Sequence, residues 1–118
     1  MRTLCLILLA LLHVSLVAAP REIGNPAFLS PHARPIVTQE DHVFVANTPC
    51  DTIDVIDVKS GKIVYRIDVG IDPVSLALRP DGRELWVANH VSDSVSVIDL
   101  DQSKRTFMHV VATIHTAR

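Results

Sequence analysis

The sequence predicts an all-β chain made of short antiparallel strands in tandem four-stranded units. Three observations predict it. From Ile36 onward, short β-branched runs alternate with turn residues, and no window carries the period of an amphipathic helix. The segment Val45–Val58, VANTPCDTIDVIDV, aligns without gaps to Val87–Leu100, VANHVSDSVSVIDL, at an offset of 42 residues. Seven of the fourteen aligned positions are identical, where unrelated sequences would share roughly one. A repeat near 40 residues with about four strands is the pattern of β-propeller blades. About two blades fit in the chain, so the predicted architecture is an incomplete propeller, part of a larger ring.

The first residues have a different texture. Arg2 precedes an apolar stretch from Leu4 to Ala19, which closes on the small residues Val17-Ala18-Ala19. Residues 1–19 therefore read as a cleaved signal peptide, and the stretch is short against the roughly 20 residues a membrane span needs. Pro20 leaves the cut site undefined. Residues 20–35, PREIGNPAFLSPHARP, hold four prolines and no periodicity, as expected of an extended arm or linker. Residues 36–118 are left for the two blades. Cleavage removes Cys5 and leaves Cys50 without an internal disulfide partner.

The expected strands follow in order. Val43–Asn47, Thr52–Val58 and Lys62–Val69 belong to the first copy. Val74–Arg79, Glu84–Asn89, Ser94–Leu100 and, less sharply, Phe107–Ile114 belong to the second. Val74, Leu76 and Leu78 alternate with Ser75, Ala77 and Arg79, the period of two of a strand with unequal faces. Ser60-Gly61 and Pro80-Asp81-Gly82 supply turn chemistry between runs. The first copy has Gln39-Glu40-Asp41-His42 where the second has Pro-Asp-Gly, so its opening strand is not defined by sequence. The second copy carries about five extra residues in DQSKRTFMH before its last strand. Lengthened loops of this kind lie at a rim, where binding functions collect.

The residues that invite a chemical reading fit structural roles better. Asp51, Asp57, Asp93 and Asp99 recur between the copies and are expected to shape turns through backbone hydrogen bonds. Asn47 and Asn89 recur for the same reason. Pro80, Asp81 and Gly82 form a turn. Trp86 occupies the position of Phe44, and an aromatic in both copies is expected to pack between blades. His90 matches Thr48, so it has no repeated role. The histidines lack the converging spacing of a metal site. Cys50 has no histidine signature of a nucleophile around it. A net charge of −2 with scattered lysines and arginines gives no reason to expect nucleic acid or an anionic membrane as partner.

The stretch VGIDPVSLALRPDGRELWVANHVSDSVSVIDL resembles the YVTN-type β-propeller repeat. Gly70 and Pro73 match its Gly-x-x-Pro opening. Pro80-Asp81-Gly82, Trp86-Val87-Ala88-Asn89 and Val95-Ser96-Val97-Ile98-Asp99 match its turn and two following strands, in order. The resemblance covers roughly Val43 to Ile114. It implies an exported repeat module, periplasmic, cell-surface or extracellular, that acts as a binding scaffold for a protein or small ligand. It also implies that further blades would complete the ring. YVTN-type repeats are similar to the propellers of haem-containing nitrite reductases, quinone-linked amine dehydrogenases and lactonases. The alternative is therefore the opening blades of such an enzyme, with its active-site residues elsewhere. No Cys-x-x-Cys-His haem attachment motif occurs, and no cofactor or catalytic residue is assigned to this chain.

Overall fold

Two four-stranded antiparallel sheets lie side by side in the computed structural model, which describes residues 31–116. The first has the order β1 (Ile36–Gln39), β2 (His42–Asn47), β3 (Thr52–Asp57) and β4 (Lys62–Asp68). The second has β5 (Pro73–Leu78), β6 (Glu84–Asn89), β7 (Ser94–Asp99) and β8 (Val110–His115). Each sheet is a meander in which every strand pairs with its neighbour in sequence. These are two propeller blades. The segment expected to be a signal peptide and most of the expected arm lie outside the described residues.

The sequence repeat is also a repeat of hydrogen bonding. The third and fourth strands of each blade shift register at Val55/Ile56 and Val97/Ile98, equivalent positions in the two copies. The Val69 amide donates to the Asp51 carbonyl at 3.0 Å, and in the second blade the Thr116 amide donates to the Asp93 carbonyl at 2.9 Å. Asp51 and Asp93 both take left-handed backbone conformations, φ 57° and 46°, at the bend between second and third strands. Aspartate tolerates that region better than most residues.

The copies differ at two hairpins. β1 exists although its sequence carries no Pro-Asp-Gly: Gln39 pairs with His42 across a two-residue turn in which Glu40 adopts φ 50°. The corresponding turn of the second blade holds Pro80-Asp81-Gly82, with the Gly82 amide donating to the Arg79 carbonyl at 2.8 Å. At the other hairpin, Ile56 pairs with Ile63 but Ile98 pairs with Val110. The connection is five residues longer in the second blade, as the sequence comparison requires.

The core lies between the blades. One face of the first blade contributes Phe44, Ile53, Val55 and Ile67; the opposite kind of face of the second contributes Leu76, Leu85, Val87 and Ile98. Because side chains alternate along each strand, only one face of each blade enters this core. Trp86, the counterpart of Phe44, therefore points away from it and is 40% exposed, while Phe44 is 1% exposed. The expectation of inter-blade packing holds for Phe44; among the described residues no blade covers Trp86. The segment before β1 adds a seam at the inner edge. The Ala46 amide donates to the Pro35 carbonyl and the Leu76 amide to the Arg34 carbonyl, both at 2.9 Å, so one stretch of backbone ties both blades.

Candidate functional site

The five extra residues between β7 and β8 make an ordered loop, and Asp99 organises it. One carboxylate oxygen accepts from the Asp101 amide at 2.9 Å, and the other accepts from the Thr106 hydroxyl at 2.6 Å. The Lys104 ammonium lies 3.7 Å away. The Asp99 and His109 backbones pair as the loop returns, with the Asp99 amide donating to the His109 carbonyl at 3.0 Å. The Asp101 carboxylate in turn accepts from the Ser103 amide and hydroxyl. Asp57, at the equivalent place in the first blade, caps only the short turn through the Ser60 amide at 2.7 Å. The same repeat aspartate thus closes a tight turn in one blade and holds a long loop in the other.

The loop turns its apolar residues inward. Met108 is buried at φ 60°, and Phe107 meets Tyr65 of the first blade edge-on, with ring centroids 6.0 Å apart. Between this loop and the turns of β1–β2 and β5–β6 lies a cleft of about 360 Å³. Phe44, Leu100 and Met108 form its apolar part. Glu40 and His42 border it from the first blade, Asp81 and Arg83 from the second, and Asp101 and Gln102 from the loop. Two long-range hydrogen bonds tie its borders. Gln39 Nε2 donates to the Gly82 carbonyl at 2.5 Å, and Gln102 Nε2 donates to Glu40 at 3.4 Å. The apolar side chains of the cleft are largely buried, so its exposed lining is chiefly polar, which suits a small polar ligand. The guanidinium of Arg83 is suited to an anionic group on the ligand, and the carboxylates of Glu40, Asp81 and Asp101 to a hydrogen-bond donor or a cation.

The other recurring residues sit where they shape the blades. The Asp51 carboxylate accepts from the Asp72 amide at 2.8 Å, which fixes the link between blades. Asp93 lies at the equivalent bend, its carbonyl also accepting from the Thr116 hydroxyl. Asp81 is gripped by Arg79 at 2.6 Å and 2.8 Å, and its pKa is held down to about 2, chiefly by that guanidinium. Pro73 starts β5 and its carbonyl accepts from the Thr48 hydroxyl at 2.7 Å. The asparagines do something other than cap turns. Asn47 Nδ2 donates to Asp54 at 3.2 Å, and Asn89 Nδ2 donates to Ser94 and Ser96 on the neighbouring strand. Asn89 is 2% exposed and packs over Gly70. The sequence singled out both asparagines but not their cross-strand partners, because a repeated Asn beside a bend reads first as a turn former.

His90 sits beside Asp72, Nδ1 to Oδ2 3.3 Å, on the opposite end of the blades from the cleft. Cys50 is an exposed free thiol. Among the described residues no three His, Cys, Asp or Glu side chains are grouped to hold a metal ion, and no helix is long and apolar enough to cross a membrane.

The lowered carboxylates set an acid limit. Asp54 is held below its ordinary range chiefly by Arg66, Asp99 by the Thr106 hydroxyl and Asp101 by Ser103. A folded pKa below the unfolded value contributes stability that is present above the ordinary carboxylate pKa, about 3.9, and disappears as pH falls through the folded value. The melting temperature is therefore expected to fall between about pH 5 and pH 2. Asp54→Asn should flatten that fall in a pH series of thermal melts; an unchanged slope would remove Asp54 from the account.

No family model matches the chain. A curated relative, Protein NirF of Pseudomonas aeruginosa, is 34% identical over 76 residues, which are 63% of this chain and 19% of NirF. Among solved structures the chain is similar to hydrazine synthase of Kuenenia stuttgartiensis, with TM-score 0.61 and 24% identity over 80% of this chain and 27% of that one. It is also similar to the dihydro-haem d1 dehydrogenase NirN in complex with DHE, with TM-score 0.55 and 21% identity over 75% of this chain and 17% of that one. At these identities the two structures establish a shared fold. The chain spans about a fifth of NirF and at most about a quarter of the structural neighbours.

Proposed function

We propose that this chain supplies two adjacent blades of an exported propeller of the YVTN-repeat kind, and that its role is to bind rather than to transform a ligand. The observation that carries this reading is the ordered β7–β8 loop, which converts a blade junction into a cleft with a chiefly polar lining. The leucine-rich leader supports export. The recurring carboxylates and asparagines are consumed in holding turns and strands, which favours a scaffold over a reaction centre in these residues.

A second reading is favoured by the similarity to NirN and NirF. In it, the ring to which these blades belong handles a tetrapyrrole related to dihydro-haem d1, with the reacting groups supplied by other blades. Such a ligand carries carboxylates at its edge, and Arg83 is the group at the cleft suited to meet one of them. The test is a titration of the purified chain with a carboxylate-bearing tetrapyrrole, followed by its visible absorbance and by backbone amide NMR shifts. Shifts confined to Gln39, Arg83 and Gln102, with a perturbed absorption band, would support ligand binding in the cleft. Arg83→Ala should then weaken binding about tenfold, the effect of losing about 1.4 kcal/mol of charge-assisted hydrogen bonding. Amides at the cleft that do not move would sink the binding reading.

A further inference from the structure

The core between the two blades is a pattern that the rest of the molecule can repeat. In that core a face of the first blade bearing Phe44, Val55 and Ile67 meets a face of the second bearing Leu76, Leu85 and Ile98. The second blade carries the first kind of face again on its far side, with Trp86, Val97 and Ile114 at the equivalent positions. The first blade carries the second kind on its far side, with Ile36, Val43 and Ile56 in place of Leu76, Leu85 and Ile98. Both far faces expose large apolar side chains among the described residues: Trp86 is 40% exposed, Ile114 44%, Ile36 54% and Ile63 50%. Large exposed apolar side chains grouped on one face mark an interaction surface.

We infer that the two open faces are complementary halves of one interface, and that the occupant of the Trp86 face is the first blade of a second copy of this chain, docked as the second blade docks on the first. Size supports the match. Trp86 is larger than Phe44, and on the face it would meet the site of Leu85 holds the smaller Val43 and the site of Leu78 holds Thr38. The charged groups of the first blade's far face, Asp54, Arg66 and Asp68, are compatible. Asp54 and Arg66 pair there at 2.8 Å. Their equivalents, Ser96 and Thr113, line a cavity of about 290 Å³ in the internal junction. The ion pair thus falls where the junction leaves room for water. The contact is head-to-tail, so it propagates until a ring closes.

Trp86 is the single tryptophan of the chain and reports on the interface directly. Sedimentation of the purified chain should show association that rises with concentration, together with a blue shift of tryptophan emission. Trp86→Glu and Ile63→Glu place a charge on opposite halves of the interface at exposed positions, and circular dichroism checks that each variant remains folded. Each variant alone should remain monomeric. Mixed, they should form a one-to-one dimer and nothing larger, because only one intact interface survives in the pair. A wild-type chain that stays monomeric with unshifted emission would overturn the proposal. So would variants that associate as the wild type does, as contact through the N-terminal apolar segment would produce. Failure of ligand binding in the cleft leaves this outcome unaffected, since the two surfaces are separate.

Discussion

Replacing Phe44 by alanine is expected to remove a large part of the stability of the two blades. Large-to-small changes of a buried aromatic cost about 3–5 kcal/mol, against a total stability of about 5–15 kcal/mol for a typical domain. Phe44 is 1% exposed in the cluster that both blades share, so its removal opens a void in the main apolar contact between them. The repeat provides its own control. Trp86→Ala truncates the same blade position on an open face and should shift the monomer's stability by no more than about 0.5 kcal/mol. Urea titrations of both variants check the contrast. Equal losses would mean that the shared cluster is not what holds the blades together.

Gly70→Ala is the second large effect expected. A Cβ at Gly70 would lie 2.5 Å from Asn89 Nδ2 and 2.5 Å from Ser92 Oγ. Neither neighbour can yield freely. Asn89 is buried and donates to Ser94 and Ser96, and Ser92 Oγ accepts from the Ile71 amide at 3.0 Å. The need for glycine here is steric, and overpacking of this kind costs about 1–3 kcal/mol. The cost should shrink in the double variant Gly70→Ala/Asn89→Ala, because one of the two clashing partners is removed. A double-mutant cycle reads this as a coupling energy, and strictly additive losses would refute the contact.

The strands were legible because alternation and turn residues act locally, and the repeat made each copy a check on the other. The insertion was legible as a length difference, and its five residues appear where the register of β7 and β8 requires them. Two features could not be read. The opening strand of the first blade depends on pairing with β2, which supplies the hydrogen bonds its own sequence does not announce. The asymmetry between Phe44 and Trp86 is invisible to a repeat comparison, since identical positions in neighbouring blades face different surroundings. The cleft was legible only as a long loop. Its borders come from Glu40, Arg83 and Gln102, and residue types far apart in sequence reveal nothing of their meeting until the blades are docked. Gly70 was visible as a motif position, but the reason for it, a buried amide lying across the backbone, was not.

The inner seam has a consequence for the order of assembly. The Arg34 carbonyl accepts from the Leu76 amide across more than forty residues of chain, whereas every strand pairing joins sequence neighbours. Local hairpins close quickly, and long loops pay their entropy before any contact rewards them. Each meander can therefore zip up from its own turns while the segment around Arg34 waits for β5. Synthesis delivers that segment first and gives it a partner last, so the seam acts as a latch set after both sheets exist. Its hydrogen bonds should consequently be the latest to gain protection in refolding and among the earliest to exchange in the native protein.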